Sequence, residues 1–295
     1  MAPCFFTDVD RAGAATRKNI LFGKTAWISG FSNTLPNTVT GVSSYDIIDE
    51  LVNYYLDTAR FPALEAVVLA GHSAGAQMVQ RYALLGKPRH LQRKLHYWVA
   101  NPGSFAYLKK DRPFPDASCE GFDSWKFGLS DNFPPYGQLD RNTLVERYLN
   151  RKVHYAFGEA DDGSGDNRCQ ARTQGRTHIE RGREFMKTID GLGGLRVGST
   201  VDYIPNAVHS GDQMAKSARG KERVRIRSSI WMGTAYSPNF WYSYSRLSEL
   251  ASSSTLRCHL SIPFASQGNT SIFVTFAFPD SEFRLLYIYI YICMP

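Results

Sequence analysis

The sequence predicts an α/β fold, a mostly parallel sheet with helices on both faces, and three observations carry that prediction. Short apolar runs (AVVLA at 66–70, LHYWVA at 95–100, KVHYAF at 152–157, VDYI at 201–204) alternate with segments of helical period. The runs are apolar almost throughout, as strands buried on both sides are. The first run ends in Gly71-His72-Ser73-Ala74-Gly75 and passes straight into a helical pattern. Gly-x-Ser-x-Gly between strand and helix is the sequence of a sharp turn that lifts a serine hydroxyl clear of the sheet. Gly71 and Gly75 are expected there because a Cβ at either position would meet the neighbouring strand or helix.

The elements follow in chain order. APCFFTDV reads as a strand, and residues 20–42, rich in Gly, Ser, Thr and Asn, read as irregular. Ser43 and Asp46 have capping spacing, and Ile47, Ile48, Leu51, Val52 and Tyr55 form the apolar face of a helix to about Leu56. After Ser73, Met78, Val79, Tyr82 and Leu85 mark a helix that stops at Gly86 before Pro88. Residues 104–138, dense in aromatics, Pro and Asp, suit an irregular cap over a site. A helix from Asn142 to Asn150 precedes the third run, and an Arg-rich helix near 176–189 precedes the fourth.

Beyond about Val224 the pattern breaks off. Residues 228–271 hold twelve serines without period, and LLYIYIYIC has a Tyr-Ile repeat of the form that an in-frame TA repeat encodes. The chain is therefore expected to comprise a domain at 1–223, its cap at about 104–138, and a Ser-rich tail at 224–295 outside it. The other reading of the tail is a β-rich appendage.

Charge narrows the function. Of the net +7, residues 216–295 carry +5 and residues 1–215 only +2, with no basic stripe interleaved with aromatics, so no nucleic-acid partner is expected. No stretch is long and apolar enough to span a membrane, and MAPCFFTDVDR lacks the basic and apolar regions of a signal peptide. The five cysteines lack metal-site spacing, and neither metal nor cofactor is expected. Cys119 and Cys169 flank one region, which leaves a disulfide and two free thiols both open.

A serine needs a base, and the base needs an orienting partner, each at a strand's carboxyl end in the chain order Ser, acid, His. Ser73 takes the first place. After KVHYAF, Asp161 is the expected acid, with Asp162 and then Glu159 as competitors. The plainer reading of DDGSGDN is a solvated turn; as a calcium loop it fails, with Asn167 where an EF-hand has Gly. Of seven histidines, His72, His90, His96 and His154 precede the acid, His178 lies in a charged helical segment and His259 in the tail. His209, on the loop PNAVHSGD after the last strand, is the expected base. The oxyanion would be held by the Ala74 N–H and a second donor near Phe6 or Thr7, after a strand at Pro3–Phe6.

AVVLAGHSAGAQ, HYWVANPGSFAYL, VHYAFGEADDGSGDNRCQARTQG and VDYIPNAVHSG together resemble the α/β-hydrolase superfamily, and more narrowly the fungal serine-hydrolase-like proteins of that fold. The resemblance spans residues 3 to about 223. It implies Ser73 as nucleophile, Asp161 as acid and His209 as base, and pairing of Cys119 with Cys169 in secreted relatives. Against that pattern the first strands before APCFFTDV are missing, and the helix after His209 gives way to the tail. The expected function is hydrolysis of a small carboxylic ester through an acyl-enzyme. An amide or peptide hydrolase uses the same triad, and a binding or inactive protein on the same fold is the rival from another class.

Overall fold

The computed structural model describes residues 3, 5–7, 19–196, 198–224 and 285–290. The chain begins with β1 (Phe6–Thr7), β2 (Leu21–Phe22) and β3 (Asn33–Leu35), a small sheet in the order β1-β2-β3 with a 3-10 turn at Ala26–Ser29 between the last two. Helix α1 (Ser44–Leu56), β4 (Ala66–His72), α2 (Ala74–Leu85), β5 (Leu95–Ala100), α3 (Arg141–Leu149) and β6 (Lys152–Gly158) follow. Then come α4 (Cys169–Arg172), α5 (His178–Asp190), β7 (Thr200–Ile204), α6 (Gly211–Lys216), α7 (Ala218–Val224) and β8 (Leu285–Ile290). The main sheet has the order β7-β6-β5-β4-β8, and every pairing in it is parallel.

Strand alternation sorts the core onto two faces. Val67 and Leu69, Tyr97 and Val99, Val153, Tyr155 and Phe157 join the large cluster with α1, α2, α3 and α5. Val68 and Ala70, Trp98 and Ala100, Ala156 and Ile204 face the other way, against Met214 of α6. The central helix α2 is buried at every residue. α1 starts where its capping box predicts, with the Ser43 hydroxyl accepting from the Tyr45 N–H and Asp46 accepting from the Ser43 N–H.

The thinner face carries a line of polar groups. Lys152 Nζ lies 3.4 Å from His96 Nε2, His96 Nδ1 lies 2.8 Å from His154 Nε2, and His154 Nδ1 lies 3.0 Å from Thr200 Oγ1. Lysine only donates, so His96 must accept at Nε2 and donate from Nδ1, and His154 then donates to Thr200. Both rings are neutral in this arrangement. Burial, followed by Lys152, lowers His96 to about 4; burial, followed by His96, Arg223 and Lys152, lowers His154 to about 3.

Residues 104–138 contain no helix or strand, yet Phe105, Tyr107, Trp125 and Phe127 are buried. Side-chain amides take the place of a neighbouring strand. The Phe105 N–H donates to Gln174 Oε1 and its carbonyl accepts from Gln174 Nε2, both at 2.8 Å. Gln80 serves Ala106 in the same way at 3.0 and 3.1 Å. Cys119 and Cys169 form a disulfide that ties the cap to α4 across 50 residues of chain. Opening a loop of that length, by Cys119→Ser, costs about 4 kcal/mol through chain entropy. The expected readout is a lower urea midpoint with a somewhat steeper slope, because the freed unfolded chain exposes more surface.

Two expectations change. Residues 20–42 are not uniformly irregular, since they supply β2, β3 and a 3-10 turn. Leu285–Ile290, within the segment expected to lie outside the domain, pairs with β4 along Ala66–Gly71. The serine-rich stretch 228–271 lies outside the described residues. A parallel sheet with helices on both faces, with a serine elbow at the end of a central strand, makes this an α/β-hydrolase fold.

Candidate active site

The elbow is built as its sequence predicts. Ser73 sits between β4 and α2 at φ 56° and ψ −119°, a strained backbone for a non-glycine residue, which is held because both neighbours are fixed. Its N–H donates to the Ala100 carbonyl at 3.0 Å. A Cβ on Gly71 would run into the carbonyl group of Gly75, so the close approach assigned to the two glycines is one contact between them.

Three segments bring the side chains together. His209 Nε2 lies 2.9 Å from Ser73 Oγ, and His209 Nδ1 lies 2.7 Å from Asp161 Oδ2. Since Nδ1 faces a carboxylate it carries the proton, leaving Nε2 as the acceptor for the serine hydroxyl. Asp161 is 1% exposed, while Asp162 and Glu159, its sequence competitors, point to solvent. Burial pushes the Asp161 carboxyl up, but the two imidazoles beside it, His178 and His209, outweigh burial and draw it down to about 2.

The loops bearing Asp161 and His209 are joined to one another. The Glu159 N–H donates to the Ile204 carbonyl and the Ala160 N–H to the Ala207 carbonyl, each at 3.0 Å. A Cβ on Gly158 would strike the Ala207 carbonyl, so the strand end requires glycine at this crossing. Asn101, at φ 45° after β5, accepts from the Gly158 N–H at 2.8 Å and ties in the third strand end.

Two further histidines border His209. The His72 ring lies 4.7 Å from that of His209. Burial, then the neighbouring His209, lowers His72 to about 3, and its buried Nε2 has no partner among the described residues. His178, set aside in the sequence as part of a charged helix, is buried against Asp161, with Nδ1 3.1 Å from Oδ1. The available signal was the glycine-rich run 163–165, whose residues pack on that ring. Asp161, His178 and His209 lie close enough together to suggest a metal cage. The two rings, however, are stacked 4.0 Å apart and only 21° from parallel. Lone pairs in nearly parallel planes do not converge on one ion, so the donor set suits proton traffic rather than coordination.

The oxyanion assignment divides. Ala74 opens α2, so its N–H has no acceptor within the helix and stands at the positive end of the helix dipole. Phe6 and Thr7 form β1 in the small sheet, and the strand paired with β4 on its free side is β8. The reason is aromatic packing: Phe5 stacks on Trp27 at 5.9 Å and leans on Phe22, which draws the segment to β2. Phe6 and Thr7, named for the second donor, therefore lie in β1 beside β2 and not in a strand paired with β4. Of the cap aromatics, Phe105, Tyr107, Trp125 and Phe127 are buried, and Trp125 and Phe127 also line a cavity of about 400 Å³ with Thr25, Phe31 and Lys126.

No protein-family model matches the sequence, and no curated protein does. Two solved structures resemble the fold, each at 20% identity. One is the poly(3-hydroxybutyrate) depolymerase LpqC of Bordetella parapertussis (TM-score 0.41, 59% of this chain and 53% of that one). The other is poly(aspartic acid) hydrolase-1 of Sphingomonas sp. KT-1 (TM-score 0.46, 65% and 67%). The match thus spans about half the length of the depolymerase. Neither bears on the narrower likeness to fungal proteins. No helix among the described residues is long and apolar enough to cross a membrane.

Proposed function

We propose that the protein is a serine hydrolase of small carboxylic esters. The observation that carries this reading is the hydrogen-bonded line from Ser73 Oγ through His209 to a buried Asp161. Three side chains 136 residues apart at the extremes do not align donor to acceptor at a strained elbow for packing alone.

Ser73 Oγ attacks the acyl carbon while His209 Nε2 takes its proton. Asp161 keeps the Nδ1 proton in place and stabilises the imidazolium that forms. The Ala74 N–H, at the helix N-terminus, faces the oxygen on which negative charge develops. Collapse expels the alcohol, which receives the proton from His209. Water, activated by the same imidazole, then releases the acid and restores Ser73.

A fluorophosphonate probe, which phosphonylates activated serines with loss of fluoride, tests the reading without knowledge of the substrate. Stoichiometric labelling at Ser73, abolished in Ser73→Ala, is expected. Folded wild-type protein that stays unlabelled would overturn it. Parallel assays with p-nitrophenyl acetate and the matching anilide separate ester from amide hydrolysis.

A further inference from the structure

The buried carboxylate has two oxygens and faces two imidazoles. Oδ2 of Asp161 meets Nδ1 of His209 at 2.7 Å, and Oδ1 lies 3.1 Å from Nδ1 of His178. Oδ1 and His178 Nδ1 are each buried and have no other polar partner among the described residues. Their approach is within hydrogen-bond distance but off the best angle. Leaving both unpaired would expose two buried polar atoms to the full cost of lost solvation.

His178 is also well held. It opens α5, where the Thr177 hydroxyl caps the Glu180 N–H at 3.2 Å. The His178 N–H donates to the Gly163 carbonyl at 3.0 Å, and the next N–H, of Ile179, donates to the Asp161 carbonyl at 3.1 Å. Gly165, at φ 55°, passes so close that a Cβ there would overlap the ring at Nε2. The loop that begins at the acid therefore closes around this imidazole, whose opposite face covers the ring of His209 at 4.0 Å. A side chain buried only to fill space would be apolar here; this one directs a polar atom at the acid.

We infer that His178 is a positioning residue: its Nδ1–H holds the carboxylate oxygen that His209 does not use, and its ring is the surface against which His209 is set. The inference rests on the serine-hydrolase reading above. The groups facing His209 are His72 from the end of β4, Ser73 from the elbow, Asp161 after β6 and His178 from α5. Apart from Asp161, no carboxylate is paired with these rings among the described residues. With one donor removed, the Asp161 charge is less dispersed and its hydrogen bond to the remaining imidazole strengthens.

The experiment measures the rate of fluorophosphonate labelling of Ser73 between pH 5 and 9 in the full chain, for wild type, H178L and H178N. H178L is expected to label roughly 10- to 100-fold more slowly, as when a base is left slightly misplaced, with the pH midpoint moved upward. H178N keeps an N–H donor within reach of the same oxygen and is expected to return the midpoint and most of the rate. A folded H178L with the wild-type rate and midpoint overturns the inference. So does an H178N no better than H178L, because the loss is then one of packing. Should H178L not accumulate, histidine ¹⁵N spectra of the wild type decide: a proton on His178 Nδ1 supports the assignment, and a bare Nδ1 removes it. Absence of wild-type labelling speaks against the hydrolase reading itself, and the tautomer remains readable on its own.

Discussion

Replacing Asp161 with Asn lowers kcat/KM on an ester by about 10⁴-fold, while Asp162→Asn changes it by no more than about twofold. The large effect comes from the tautomer. An amide nitrogen in place of Oδ2 donates to His209 Nδ1, the proton moves to Nε2, and Nε2 then points a hydrogen at Ser73 instead of a lone pair. The hydroxyl loses its base although every distance is kept. Asp162 is exposed and touches neither imidazole, so its substitution acts only on surface charge. Equal losses in the two variants, measured on proteins with matching circular dichroism, would show that the acid has been misassigned. Retained activity in Asp161→Asn would remove the triad altogether.

Stability should fall steeply between about pH 6.5 and 4. His72 and His154 are held near 3 and His96 near 4, against 6.5 for an unburied ring. A lowered histidine means that the unfolded chain binds protons which the native state refuses. Stability from these groups is therefore complete above about pH 6.5 and is lost as pH drops toward 4 and 3. Each ring contributes up to about 1.4 kcal/mol per pH unit, so three approach about 4 kcal/mol per unit. A domain with about 5–15 kcal/mol in hand unfolds within that window. Asp161, drawn down to about 2, adds to the loss only below about pH 4, so the two contributions separate on the pH axis. Urea midpoints at pH 7.5, 6.5, 5.5 and 4.5 check this. The Lys152–His96–His154–Thr200 line predicts that His154→Gln flattens the slope by about one third, because one of the three titrating rings is gone. A midpoint unchanged from pH 7 to 5 would show that the rings are protonated in the native state.

The four central strands were legible because each is a continuous apolar run, and α1 and α2 because their apolar faces repeat with helical period. That Ser73, Asp161 and His209 meet followed from position: each lies beyond the carboxyl end of a strand, and these ends converge on one edge of a parallel sheet. What stayed hidden was set by distant pairing. β2 and β3 are two and three residues long, too short to show a period. The place of β1 depends on Phe5 finding Phe22 and Trp27, which no local pattern reveals. Leu285–Ile290 carries a strand-like repeat, but its partner β4 lies more than 200 residues earlier in the chain. His178 was masked by the Arg-rich helix it opens; only the glycines preceding it hinted that the chain had to bend around something.

The backbone stitches between the segments bearing residues 161 and 209 make carboxylate and imidazole a single rigid passenger. The serine is carried by a separate strand end, fixed by its own N–H on the Ala100 carbonyl, while the cap beside them is secured by side-chain amides rather than by strand ladders.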